Sequence, residues 1–292
     1  MCRLFFLKPF PCFYLTRNNK TLLSTVKPRF LCSAHQPPPP PTTKDLHGIF
    51  PVYKPPNCTS FQVVKKIRSI ILKEITSSNA GTGRKWIKVG HGGTLDPFAT
   101  GVLVIAVGSA CSQLQSFLQG SKVYKATVKF GEETDTMDLT GRVIATQPVP
   151  PHITLDDIRS VLSRYTGVIE QVPPAYSAVH VGGKRAYELA RKGIAVELTK
   201  RKVRIDRIEC TRCSLPIAEF CIECSGGTYI RRLLSDVAKD LQTVGHLIAL
   251  ERTKQGPFHV QEAIPWEAFT HLQVVERAME QFRTKCNHHQ QP

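Results

Sequence analysis

The sequence predicts an α+β protein with a mixed, mainly antiparallel sheet and flanking helices. Two observations predict this class. Strand-like apolar runs outnumber helix-like segments and follow one another closely along the chain. One of these runs alternates Tyr124, Ala126, Val128 and Phe130, as a half-buried antiparallel strand does. With 292 residues, 41% of them hydrophobic, the chain is also long enough to bury a sizeable core.

The first element, residues 1–45, is predicted to be a basic, proline-rich leader. Residues 1–44 contain no Asp or Glu but seven of the 39 Lys and Arg residues, and they end in the run QPPPPPTTK. Acid-free basic leaders are typical of organellar presequences. We therefore expect mitochondrial localisation, with the nucleus or cytoplasm as the alternative. A disordered basic tail without a targeting role is the competing interpretation.

A folded domain is predicted over residues 46–265. It opens with the apolar strand GIFPVYK, which two prolines end, and a capping box at Thr59–Gln62 then starts a helix with apolar residues at helical spacing. The segment GRVIAT is predicted to pair with the strand that contains Tyr124. A second helix is predicted from Thr154, with Asp157 in the capping-box position and Gly167 as its stop. Residues 266–292 are predicted to form a polar C-terminal tail.

Four of the ten cysteines form the pattern CTRCSLPIAEFCIEC. A zinc site built from Cys210, Cys213, Cys221 and Cys224 is one interpretation. The interpretation that we favour is a hairpin of two strands, in which residues three apart point to opposite faces and so cannot converge on a metal. We therefore predict no metal site.

The net charge of +16 indicates a polyanionic partner. No apolar run approaches the ~18–20 residues that a membrane-spanning helix needs, so nucleic acid is favoured over a membrane. The basic run KRKVR (200–204) is interpreted as a solvated, RNA-facing edge of the sheet, with a nuclear import signal as the alternative.

The stretch GHGGTLDP (90–97) places one carboxylate, Asp96, on a glycine-rich loop directly before an apolar strand. Asp before Pro is common in turns. However, the three glycines would let a ligand approach the backbone closely, and a rigid strand would fix the acid as catalysis requires. Arg231 and Arg232 lie in the first turn of a predicted helix, where the helix dipole disfavours cations. One of them is therefore a candidate to bind an anion or a catalytic carboxylate.

Two tyrosines, Tyr124 and Tyr229, lie in basic surroundings. Core packing is the common fate of a strand tyrosine. In a basic cleft these rings could instead stack on unstacked bases, as proteins that hold flipped nucleotides do.

Six blocks of the sequence together resemble the TruB-type tRNA pseudouridine synthases. They are, in order, KVGHGGTLDPFATGVLVIAVG, SKVYKA, GEETDTMDLTG, QVPPAYSAV, GGTYIRRL and LERTKQGPF. The resemblance covers roughly residues 46–260, and VGHGG and RTKQGPF are most similar to the eukaryotic branch that has only the TruB domain. It implies the pseudouridine synthase fold over residues 46–265.

The resemblance implies roles for individual residues. Asp96 matches the catalytic nucleophile. Tyr124 is expected to stack on the flipped base and to help remove the C5 proton, and Arg231 to pair with Asp96. His91 is expected to fill the space that the flipped uridine leaves, and Tyr229 to contact the nucleotide. The remaining expectations are Leu250 in the pocket floor and Asp135 in ordering a loop beside the cleft. Lys54 is expected to support the site and is grouped, with Lys88, among the substrate-binding residues.

The implied activity is isomerisation of a uridine in the T-loop of tRNA, at position 55, with similar hairpins in mRNA as a second substrate class. The resemblance implies no cofactor, and we expect a monomer without a membrane partner. About thirty residues follow KQGPF, too few for the C-terminal RNA-binding domain of bacterial and archaeal relatives. We therefore expect the catalytic domain itself to grip RNA, through the segment GGKRAYELARKG and through basic side chains: Lys65, Lys66, Arg84, Lys85 and Lys88. An RNA-binding or RNA-folding protein on the same fold is the alternative function.

Overall fold

The computed structural model describes residues 46–78 and 87–288. The strands are β1 Gly48–Lys54, β2 Val89–His91, β3 Thr100–Val107, β4 Lys122–Phe130, β5 Glu132–Thr134, β6 Val143–Thr146, β7 Gly167–Gln171, β8 His180–Val181, β9 Lys184–Arg185, β10 Arg201–Ser214, β11 Ile217–Cys224, β12 Gly245–Gln255, β13 Phe258–His259 and β14 Ile264–Pro265. The α-helices are α1 Ser60–Ser78, α2 Leu114–Gln119, α3 Leu155–Ser163, α4 Ala186–Ala190, α5 Ile230–Asp240, α6 Leu272–Gln281 and α7 Arg283–His288. Short 3-10 turns occupy Gly108–Gln113, Val260–Glu262 and Trp266–Ala268.

One large sheet dominates the described residues, with the strand order β14-β1-β3-β12-β4-β11-β10-β7. The pairs β1–β14 and β3–β12 are parallel, and the other pairs in this order are antiparallel. The predicted α+β class, with a mixed and mainly antiparallel sheet, is therefore confirmed. None of the described helices is long and apolar enough to cross a membrane.

The core consists of two apolar clusters along this sheet. The first joins β1 and β3 to α1 and α6, and the second joins β4, β10 and β11 to α3 and α5. The loop between β2 and β3 lies where the clusters meet, because both strands belong to the first cluster while Leu95, Phe98 and Ala99 pack into the second. The fold thus fixes this loop, which carries Asp96, between two packed layers.

Local patterns predicted several elements correctly. The capping boxes form at both helices, with mutual hydrogen bonds between Thr59 and Gln62 and between Thr154 and Asp157. Alternate residues of β4 are buried, as predicted. The segment GRVIAT contains β6, which was predicted to pair with the strand that contains Tyr124. It pairs instead with β5, the short strand that directly follows β4. The exposed Arg201, Lys202 and Arg204 lie on β10 beside the edge strand β7.

The cysteine pattern forms the predicted hairpin of β10 and β11, but one part of the argument for it is wrong. A bulge in β10 places Cys210 opposite Phe220 and Cys213 opposite Ala218, so both sulfurs lie on the buried face. Cys221 and Cys224 follow the regular alternation and diverge. The described residues contain no group of three or more His, Cys, Asp or Glu arranged to hold a metal.

The prediction of a polar tail over 266–292 is wrong for most of its length. Helix α6 packs its apolar side against β1 and α1, burying Leu272, Val275, Ala278 and Met279, with Phe282 following. These residues recur at helical spacing between polar ones, a signal that the polar composition conceals. The predicted leader, together with Arg84 and Lys85, lies outside the described residues.

Candidate active site

Asp96 and Arg231 form a two-point ion pair, as the sequence predicts. Arg231 Nε and Nη2 donate to Asp96 Oδ2 and Oδ1 at 2.8 and 3.0 Å. The guanidinium is 4% exposed while the Asp96 carboxylate is 29% exposed, so the acid reaches solvent and its partner does not. The parallel hydrogen bonds fix the orientation of the carboxylate as well as its position.

Arg231 is itself fixed by three further groups. Its Nη1 donates to the Thr136 carbonyl at 2.7 Å, and its Nη2 to the Tyr176 carbonyl at 2.9 Å. A second carboxylate, that of the buried Asp138, lies 3.4 Å from Nη1. Sequence reasoning singled out Asp135 in this block and missed Asp138. Two opposite charges and two carbonyls thus compensate the burial of the guanidinium at the start of α5.

Asp135 and Asp138 have different structural roles in the loop that follows β5. Asp138 Oδ1 accepts hydrogen bonds from the Thr136 hydroxyl and the Thr140 N–H. Asp135 Oδ1 accepts from the Arg142 N–H at 2.9 Å, which closes the loop. Asp135 therefore orders the loop, whereas Asp138 connects the loop to the ion pair.

The backbone of residues 92–97, which we call the carboxylate loop, is held by side chains from three other elements. Gln255 Nε2 on β12 donates to the Gly92 carbonyl at 2.6 Å. Arg252, also on β12, donates to the Gly93 carbonyl at 3.2 Å and to the Val102 carbonyl on β3 at 2.7 Å. Ser60 Oγ at the start of α1 accepts from the Leu95 N–H at 2.9 Å.

Lys54 at the end of β1 completes this support. Its buried ammonium donates to the carbonyls of Pro55, Cys58 and Pro97 at 2.8, 2.7 and 3.1 Å. Burial lowers the pKa of Lys54 to about 8. Because all three N–H groups are occupied and the side chain is inaccessible, Lys54 supports the loop, and its grouping with the substrate-binding residues is wrong.

Arg252 and Gln255 are the residues that sequence reasoning missed. Both are buried, and the backbone groups that they bind lie 150 or more residues earlier in the chain. A usable signal was present, since Arg252 shares the inward alternation of β12 with the buried Leu250. An arginine on the apolar face of a strand needs a buried set of acceptors.

Tyr124 and Leu250 form the apolar wall behind Asp96. Tyr124 on β4 is 7% exposed and lies opposite Arg252 in the β4–β12 register. Burial raises the pKa of the Tyr124 hydroxyl, and the neighbouring Arg252 opposes this shift. Leu250 pairs with Ala126 and packs into the same cluster as Tyr124.

Tyr229 precedes α5 directly and is half-buried. Gln171 fixes its backbone, accepting from the Tyr229 N–H at 2.9 Å and donating to the Tyr229 carbonyl at 3.1 Å. Burial raises the pKa of the Tyr229 hydroxyl, while Ser177 and Arg201 lower it and Asp96 acts in the same direction as burial. Tyr229 therefore lies beside the ion pair.

His91 ends β2 at the entrance to the carboxylate loop. Its Nδ1 accepts from the Gly93 N–H at 3.3 Å. Burial, with Arg252 and Arg185 acting in the same direction, lowers the pKa of His91 to about 4, so the ring is neutral near pH 7. Lys88, just before β2, is exposed, and Asp96 pairs with Arg231 rather than with the Lys88 ammonium. Among the other basic candidates, Lys65 is exposed and Lys66 donates to the Trp266 carbonyl.

The glycines around the loop serve packing more than ligand access, which corrects the sequence argument. A Cβ at Gly92 would lie 2.7 Å from the Phe117 Cβ, and one at Gly90 the same distance from a Leu114 methyl. Both neighbours belong to α2. These two glycines therefore let α2 pack closely on β2 and the loop.

The chain matches the family model of the TruB family pseudouridylate synthase (N terminal domain) over residues 81–230. It is 44% identical to the tRNA pseudouridine synthase B of Phocaeicola vulgatus, covering 74% of this chain and 88% of that protein. It is 42% identical to the human pseudouridylate synthase TRUB1, covering 77% of this chain and 66% of that protein. A crystal structure of a Cbf5-Nop10-Gar1 complex matches at 26% identity with a TM-score of 0.55 over 82% of this chain, which spans 56% of that structure's chain.

Proposed function

The chain belongs to the TruB family of pseudouridylate synthases, and on that premise we propose that it isomerises uridine 55 in the T-loop of tRNA. The observation that carries this proposal is the Asp96–Arg231 pair, a carboxylate held at two points at the edge of an apolar wall. The relatives named tRNA pseudouridine synthase B support tRNA as the substrate.

The reaction breaks the bond from C1′ to N1 and forms one from C1′ to C5. C5 loses its hydrogen as a proton, and N1 gains a proton, so the product is an isomer. We assign the nucleophilic role to Asp96, which is fixed yet reaches solvent. Tyr124 offers an apolar ring for the flipped base to stack on, and we assign its hydroxyl to removal of the C5 proton. Tyr229 and Leu250 would enclose the nucleotide.

We propose that these residues need no metal or cofactor. The cysteine hairpin gives a specific check, because Cys221 and Cys224 diverge while Cys210 and Cys213 share a face. The purified protein should contain no stoichiometric zinc and should keep its activity in chelator. One equivalent of zinc, lost together with the fold on changing Cys210 or Cys224 to Ser, would contradict this.

The alternative function, RNA binding or folding without chemistry, has less support. A binder needs a basic surface. It does not need a loop whose consecutive carbonyls are held by buried Gln255 and Arg252, or a carboxylate placed beside a buried guanidinium. Such anchoring is what a catalytic group requires.

Release of tritium from RNA labelled at uridine C5 separates the two functions. Asp96→Asn keeps the size of the side chain and removes its charge and nucleophilicity, so release should fall by at least about 10³-fold. Binding of tRNA should survive, because affinity comes mainly from Lys and Arg contacts with phosphates. Release at the wild-type rate would disprove the assignment.

The same assay tests Tyr124. Tyr124→Phe keeps the ring and loses the hydroxyl, so this variant should bind tRNA normally and turn over slowly. Tyr124→Ala should also weaken capture of the flipped base, by ~1–3 kcal/mol. Equal turnover by Tyr124→Phe and the wild type would remove the hydroxyl from the mechanism.

We extend the proposal to mRNA hairpins that present a similar loop. The basic surface binds phosphates of any RNA, so selection would rest on the shape of the loop. Chemical mapping of pseudouridine in RNA from cells that lack this protein should show losses in tRNA and in such hairpins. Losses confined to tRNA would limit the substrate class.

We also propose that residues 1–44 direct the protein to mitochondria. The support is their composition, with seven Lys and Arg and no Asp or Glu. A fusion of these residues to a fluorescent protein should reach mitochondria. Diffuse or nuclear fluorescence would reject this localisation.

A further inference from the structure

An open cleft of about 460 Å³ is lined by residues of α1, β2 and α2 and contains neither Asp96 nor Arg231 in its lining. Its walls include Phe61 and Arg68 of α1, Gly90 and His91 of β2, and Leu118 of α2. A volume of this size falls within the range of ligand sites. The proposed reaction assigns no role to this cleft, apart from His91 at its margin.

Two side chains give the cleft an unusual apolar surface. Phe61 is 62% exposed and Leu118 is 42% exposed, and both line it. Single exposed apolar residues are ordinary, but two that line one concave surface indicate a binding site. Phe61 is the only Phe, Tyr or Trp among the described residues that line the cleft, and the His91 imidazole lies in the same lining.

The charges around the ring select an anionic ligand. Phe61, Lys65 and Arg68 are spaced by four and three residues, so they lie on one face of α1. No Asp or Glu belongs to the described lining of the cleft. An aromatic face beside guanidinium and ammonium groups suits a nucleotide, whose base stacks while its phosphate pairs with the cations.

Hydrogen bonds connect the wall of the cleft to the carboxylate loop. Ser60, which precedes Phe61, exchanges hydrogen bonds with the Leu95 N–H and carbonyl at 2.9 and 3.1 Å. Leu95 is next to Asp96, and His91 connects the cleft wall to the same loop. A nucleotide in the cleft would therefore belong to the RNA strand that delivers the target uridine.

We propose that the cleft holds a second nucleotide of the substrate RNA, with its base on Phe61 and its phosphate at Arg68 and Lys65. This inference rests on the proposed function and adds a subsite to it. The site recognises a base by stacking and so does not select its identity. It fixes the position of the RNA relative to Asp96.

The test compares Phe61→Ala with Ile144→Ala, which removes an equally exposed side chain from β6. Phe61→Ala should weaken tRNA binding roughly 5- to 50-fold and raise KM equally, with the single-turnover rate at saturating tRNA within about twofold of wild type. Phe61→Trp should restore affinity, and Ile144→Ala should change neither quantity. Arg68→Gln should lower the slope of log affinity against log salt by about one.

Crosslinking locates the ligand. T-arm hairpins with one 5-iodouridine, moved through the loop, should crosslink to Phe61 from a nucleotide other than the target. If the wild type releases tritium but Phe61→Ala binds like Ile144→Ala, the subsite is disproved and the proposed function stands. If the wild type releases no tritium, the proposed function fails, whatever Phe61 does. Crosslinking of the target nucleotide itself to Phe61 would also overturn the inference.

Discussion

The carboxylate loop and residues 180–200, which we call the arm, are both rich in glycine, but the space around their glycines differs. In the loop, the protein itself occupies the space beside Gly92, and buried side chains bind consecutive carbonyls. In the arm, a Cβ at Gly182, Gly183 or Gly193 would meet nothing within 4 Å. Gly92 of the loop serves close packing and Gly93 beside it has a positive φ, whereas all three glycines of the arm combine a positive φ with open space.

The arm consists of the small hairpin β8–β9, the helix α4 and an irregular stretch. Gly182 and Gly183 both have positive φ, as a two-residue hairpin turn requires. Arg191 lies over the Tyr187 ring at 5.4 Å, and Lys184 and Lys192 are exposed. The loop thus holds a carboxylate in a fixed position, whereas the arm leaves basic side chains exposed, and we propose that these side chains bind RNA phosphates.

The largest expected effect is the loss of turnover when Arg231, which holds the Asp96 carboxylate, is removed. Arg231→Met deletes the two hydrogen bonds to Asp96 and leaves Asp138 without its charged partner. Turnover should fall about 10³-fold, and tRNA affinity should change little. The matched control is Arg232→Met, whose side chain pairs only with Asp236 in the described residues and is 30% exposed. Similar turnover by the two variants would contradict the role given to Arg231.

Arg252→Met tests whether support of the backbone matters as much as support of the carboxylate. It leaves the carbonyls of Gly93 and Val102 without their donor, which costs ~1–3 kcal/mol of unfolding free energy per buried group. Single-turnover rates should fall about 10²-fold with unchanged tRNA affinity, because the loop loses its fixed position. Arg212→Met, on the exposed side of β10, should leave rate and melting temperature at wild-type values.

Neutralising two lysines of the arm should weaken tRNA binding and leave the catalytic rate unchanged, the reverse of the effect of Arg252→Met. Lys184→Gln with Lys192→Gln should weaken tRNA binding about tenfold in 0.1 M salt and lower the salt slope by about two. The single-turnover rate at saturation should stay unchanged. Lys239→Gln, at the end of α5, is the control for loss of charge alone. A fall in the saturating rate without a change in affinity would place the arm in the catalytic machinery instead.

The smallest expected effect concerns His91 and pH. Its pKa in the folded protein is about 4, against an ordinary value of 6.5, so the unfolded chain binds more protons between these values. Stability is therefore lost as the pH falls through this window, by ~1 kcal/mol from pH 7 to pH 5.5. Urea unfolding of wild type and His91→Gln at both pH values measures this. Equal pH dependence in both proteins would mean that the ring is accessible.

Local patterns predicted the elements, but not all of what holds them together. The alternation of β4 and the capping box at Thr154 depend on neighbouring residues, so the sequence displays them directly. The place of Arg231 and Arg232 in a first helical turn made one of them a candidate to bind a carboxylate, but only the family resemblance assigned Arg231 to Asp96. The hydrogen bonds of Arg252 and the bulge that turns Cys213 depend on partners elsewhere in the sheet, which local spacing does not reveal.

The anchoring of the carboxylate loop has a consequence for synthesis of the protein. Ser60 and Lys54 leave the ribosome before the loop does, but Arg231 follows Asp96 by 135 residues and Gln255 follows Gly92 by 163. Until those residues emerge, the Gly92 and Gly93 carbonyls and the Asp96 carboxylate lack their protein donors. Such distant contacts form late, because closing a long stretch of chain costs conformational entropy before the new contacts stabilise it. A nascent chain that ends before β12 thus contains every residue assigned to the chemistry except Leu250. It still lacks Arg252 and Gln255, whose hydrogen bonds hold the backbone of the carboxylate loop.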